Sequence, residues 1–130
     1  MDTEKIIERW ETGAKEAYKT AQVLFSLERY NHALFFCHLT VEKMLKALVV
    51  QKTLTHAPYE HNLLKLSNLS GLEFAKEQLD ILDEISAFNI SGRYDDYKLE
   101  FYKKVTKEYA EEYLVSTNTL FLWLQKHLTK

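Results

Sequence analysis

Glycine, proline and cysteine are almost missing from this chain: three Gly, one Pro and one Cys in 130 residues. So few breakers exclude a fold of many short strands and tight turns, and favour long helices. The glycines stand apart at Gly13, Gly71 and Gly92, so no G-x-G-x-x-G or P-loop can cradle a phosphate. Nor is there a nucleophile elbow, a C-x-x-C or an H-E-x-x-H. A lone Cys37 rules out an intramolecular disulfide. No window reaches the roughly 18 apolar residues a membrane helix needs. The opening MDTEKIIERWE is charged and lacks the apolar core of a secretory signal, so a cytoplasmic protein is expected. An excess of one charge is missing too. Seventeen basic against nineteen acidic residues leave a net charge of −2, and no basic field recommends nucleic acid as the main partner.

What is present is apolar and helical. Hydrophobic residues make up 46% of the chain, enough for one core, and the length suits a single domain over 1–130. The longest apolar segment, Asn31–Gln51, reads as the central helix of an all-α bundle. At 100° per residue Ala33, Cys37, Val41, Met44, Ala47 and Leu48 share one broad face. His38, Glu42 and Lys46 recur every four residues as a narrow polar row, bordered by Lys43. This row has two readings. It is an exposed ladder of ion pairs, each worth about 0.2–0.5 kcal/mol, or it faces a partner or a substrate cleft. Asn31 is placed to cap this helix.

The other elements follow from spacing. Thr3–Leu27 is a helix capped by Asp2 or Thr3, with Ala14, Ala17 and Ala21 permitting close approach. A short link, Glu28–Tyr30, returns the chain antiparallel. His61–Leu69 is a short helix. Ser70 and Glu73 read as a capping box opening a helix to about Asn89, with Phe74, Leu79, Ile81, Leu82, Ile85 and Phe88 inward. Val105–His127 is the last helix. The expected fold is an up-down bundle of four long helices plus one short one. His56 and His61 have a spacing that zinc sites use, but no second ligand pair supports a metal. Gly92–Lys104 is irregular and concentrates Arg93, Tyr94, Asp95, Asp96 and Tyr97. It reads as a long loop of the kind that carries function, or as one pinned by Arg93 paired to Asp95 or Asp96.

These pieces, in order, resemble the HEPN domain family of prokaryotes. His38–Leu48, HLTVEKMLKAL, is similar to its H-x-x-x-E-K-x-x-K-A-L signature. His61-Asn62-Leu63 is similar to its H-[DN]-L helix start, and Arg93-Tyr94-Asp95-Asp96 to its R-Y-x-D loop. The first helix, with Trp10, Ala17, Ala21 and Leu24 followed by Tyr30–Ala33, completes the pattern. The resemblance implies a helical bundle that commonly forms a homodimer. It also implies a small nucleotidyltransferase as partner, often in a toxin–antitoxin system. Many members are metal-independent RNases with an R-x4-6-H motif. Arg93 matches the arginine, but Lys98, Leu99 and Glu100 stand where the histidine belongs. General acid–base chemistry near neutral pH needs a group whose pKa lies nearby.

The expectation is therefore a non-catalytic module without cofactor. It would dimerise and bind a nucleotidyltransferase, or a nucleotide or RNA phosphate. The site would be a cleft of His38, Glu42, Lys43, Lys46, Arg93, Tyr94, Asp95, Asp96 and Tyr97. The alternatives are an RNase toxin using Arg93 and His38, and a purely structural helical adaptor.

Overall fold

A computed structural model describes residues 1–89 and 103–129. They form an all-α, up-down bundle: α1 (Thr3–Ser26), α2 (Tyr30–Thr53), α3 (Leu63–Leu69), α4 (Lys76–Ser86) and α5 (Lys107–Gln125). Among the described residues there is no strand, and no helix is long and apolar enough to cross a membrane. Arg93, Tyr94, Asp95, Asp96 and Tyr97 of the candidate cleft lie outside the described residues.

Side-chain caps set several helix starts. Asp2 Oδ1 accepts from the Lys5 N–H. Asn62 Oδ1 accepts from Leu64 and Lys65, and Thr106 Oγ1 from Tyr109. Two expected caps are corrected. Asn31 lies inside α2, because the left-handed Glu28 (φ 62°) turns the chain earlier and Ala33 N–H already donates to Arg29 O. Ser70 and Glu73 do not open α4. The Ser70 hydroxyl donates to Ser67 O and accepts from Leu72 N–H, closing α3 instead. After a left-handed Gly71 (φ 78°), α4 starts at Lys76, with Gln78 Oε1 accepting from Ala75 N–H. The α2 C-terminus is capped by Leu54 in the left-handed region (φ 58°, ψ 30°), its N–H donating to Val50 O.

As its sequence demands, α2 is the hub, packed on α1, α3, α4 and α5. Leu34, Val41, Met44, Leu45, Leu48 and Val50 are fully or almost fully buried along it. Ala14, Ala17 and Ala21 are the buried residues of α1 beside Glu11, and small side chains there let α1 lie close against α2. Leu82, Ile85 and Phe88 reach the core, whereas Leu79, expected inside, is exposed.

The chain's two ends are tied to one pole. Gln51 Nε2 donates to His127 O at 2.9 Å, and its Oε1 accepts from Thr129 N–H at 2.7 Å. Glu11 accepts from Gln125 Nε2 at 2.9 Å, and Leu128 is buried.

Candidate functional site

The polar row of α2 is inside the protein. His38, Glu42 and Lys46 are each at most 5% exposed, which corrects the reading of an exposed ladder. The row can sit there because each charge has a partner. Lys46 Nζ donates to Glu42 Oε2 at 3.1 Å and stands 5.3 Å from the centre of the Trp10 ring on α1. Glu42 Oε1 accepts from His61 Nδ1 at 3.0 Å. The carboxylate thus joins α2 to the loop that precedes α3, and the ammonium joins α2 to α1.

His38 is fully buried. Its Nε2 lies 3.1 Å from His61 O; a carbonyl only accepts, so Nε2 carries the proton. Burial holds the imidazole below its ordinary pKa, against the raising effects of the His61 carbonyl and Glu42. The ring is therefore neutral near pH 7, and its Nδ1 bears a lone pair. That atom has no hydrogen-bond partner among the described residues, and Glu42 Oε1 is 3.7 Å away.

Lys43, the border residue of the row, is separate from this network. A Cβ on Gly13 would lie 3.2 Å from Lys43 Cδ, so the mid-helix glycine of α1 leaves room for the lysine stem. The structure therefore brings together His38, Glu42 and Lys46, and adds His61 and Trp10. In the sequence His61 marks a helix start and a metal candidate without a second ligand pair. Its partner Glu42 is nineteen residues away, and no local spacing encodes that contact. Its Nδ1 is taken by Glu42, and no cluster of metal-ligating side chains exists among the described residues.

A second polar cluster joins α4 to α5. The Tyr109 hydroxyl donates to Glu84 Oε2 in a very short bond, and Lys104 Nζ donates to the same oxygen at 2.9 Å. Burial pushes the Glu84 carboxyl up, but these two donors outweigh it and hold it below its usual value. Burial and the Glu84 carboxylate together push the Tyr109 phenol far upward. Cys37 lies on the buried face of α2, where burial pushes its thiol up to about 11.

Fold and network together define a small all-helical bundle protein with an ion-pair network built into its central helix. The chain belongs to the HEPN family: the family model described as HEPN domain matches residues 7–127. The crystal structure of TT1696 from Thermus thermophilus is similar in fold, with a TM-score of 0.77 at 20% identity over 94% of this chain and 98% of that one. No curated protein matches the sequence.

Proposed function

We propose that this chain is a non-catalytic HEPN module that acts as a structural adaptor. It works by being bound rather than by turning over a substrate. The observation that supports this reading is the state of His38. It has no exposed surface, and its Nε2 proton is committed to a backbone carbonyl, so it is poorly placed to exchange protons with a substrate. Lys46 is likewise engaged between Glu42 and Trp10. The row serves as an internal brace that fixes α1, α2 and the loop before α3 to one another. A second copy of the chain and a small nucleotidyltransferase are the partners that the family resemblance supports. Any phosphate-facing role would then fall to Arg93, whose guanidinium can hold a phosphate bidentately.

The test is a tagged pull-down from the native host, with light scattering on the purified chain and an RNA-integrity assay beside it. The expected result is a stoichiometric partner or a stable dimer, with RNA intact. Degraded RNA that is protected by His38→Ala and by Arg93→Ala would replace the adaptor with an RNase. A monomer that captures nothing would remove both partners.

A further inference from the structure

We propose that His61 is a phosphoryl-accepting histidine, with Nε2 the atom modified. This goes beyond the adaptor reading and does not depend on it. The side chain of His61 is 46% exposed, yet its ring is not free to turn, because Nδ1 donates to the buried Glu42 carboxylate at 3.0 Å. In the neutral ring that bond fixes the tautomer: the proton sits on Nδ1, and the lone pair is on Nε2. Among the described residues Nε2 has no hydrogen-bond partner. The Tyr59 ring stands edge-on at 5.1 Å and guards one side of the imidazole. The neighbouring Glu60 carboxylate is held in place: its Oε2 accepts from the His61 and Asn62 N–H groups, both at 3.1 Å, and its Oε1 lies 3.9 Å from Lys65 Nζ.

A carboxylate behind an imidazole holds the ring in place and offsets positive charge that develops on it. The step is a displacement at phosphorus. The Nε2 lone pair forms an N–P bond, and the bond from phosphorus to its leaving group breaks, taking its electron pair with the leaving group. The Nδ1 proton remains in its bond to Glu42, so the product is a phospho-imidazolium whose charge the carboxylate balances. The co-reactant belongs to the class of activated phosphoryl donors, such as acyl phosphates and phosphoramidates.

The chain supplies its own controls. His127 is exposed and has Nδ1 at 2.9 Å from a backbone carbonyl, Trp123 O, so its neutral ring holds the same tautomer, with no carboxylate partner among the described residues. His32 and His56 are further histidines outside the core. The full chain is treated with limiting phosphoramidate near neutral pH, and each histidine is followed by peptide mass spectrometry under alkaline handling. Labelling of His61 is expected to run severalfold ahead of His127 and further ahead of His32 and His56. Glu42→Gln, verified as folded by circular dichroism, is expected to bring His61 down to the rate of His127. Equal rates at His61 and His127 in the native chain overturn the proposal, and that comparison needs no variant. An unchanged His61 rate in folded Glu42→Gln overturns it too.

Discussion

A buried carboxylate is tolerated only while its partners remain, and Glu42 has two that matter most. Glu42→Ala leaves the Lys46 ammonium inside the bundle, with the Trp10 face as its remaining partner among the described residues. Removal of one member of a buried pair typically costs about 3–5 kcal/mol, so urea midpoints should fall sharply, whereas replacing both residues by apolar ones of similar volume should cost far less. His38 makes stability depend on pH. Its folded pKa is depressed, so below the ordinary histidine value of 6.5 the unfolded chain takes up a proton that the folded chain refuses. Stability contributed by this residue is full above pH 6.5 and declines as pH falls below it. Urea titrations over a pH series should show that slope, and His38→Gln should flatten it. The candidate residues were legible by type here, but not their surroundings. A four-residue polar spacing on a nearly all-apolar helix fits an exposed row and a buried brace equally well. The choice turned on Trp10 and His61, which come from other elements.

Helix ends and helix pairs carry the next set of consequences. Leu54 closes α2 in the left-handed region, where a side chain suffers a steric penalty, and its own side chain is largely exposed. Glycine adopts that geometry without the clash and loses little contact. Leu54→Gly should therefore raise stability by about 0.5–1 kcal/mol, after allowing for glycine's larger unfolded-state entropy. A thermal melt measures it. Between α4 and α5 the Tyr109 hydroxyl bond to Glu84 is the charge-assisted link. Tyr109→Phe keeps the ring contacts with Phe88 and Tyr113 and removes only that donor. A loss of about 1–2 kcal/mol in chemical denaturation is expected, with no change in helix content. The helices themselves were legible from apolar periodicity. Their starts were less so: the Ser70–Glu73 pattern looks like a capping box, but Ser70 closes the helix before it, and a cap motif read from spacing alone cannot say which helix it serves.

For the molecule as a whole, the apolar α2 announced a buried hub, and the bundle is built around it. The family pattern spans nearly the full chain, and its match to residues 7–127 accords with that. What surfaces do was not legible, because partner recognition depends on exposed side chains that no core constraint dictates. The Gln51 bridges carry a practical consequence. They bring the last residues of the chain to the pole where α1 begins, since Thr129 and Leu128 border a groove with Glu4 and Ile7. The α1–α2 turn lies at the far end of a 24-residue helix, about 36 Å away at 1.5 Å per residue. A bulky tag inserted next to Asp2 or next to Thr129 would sit at that pole and leave the turn unobstructed.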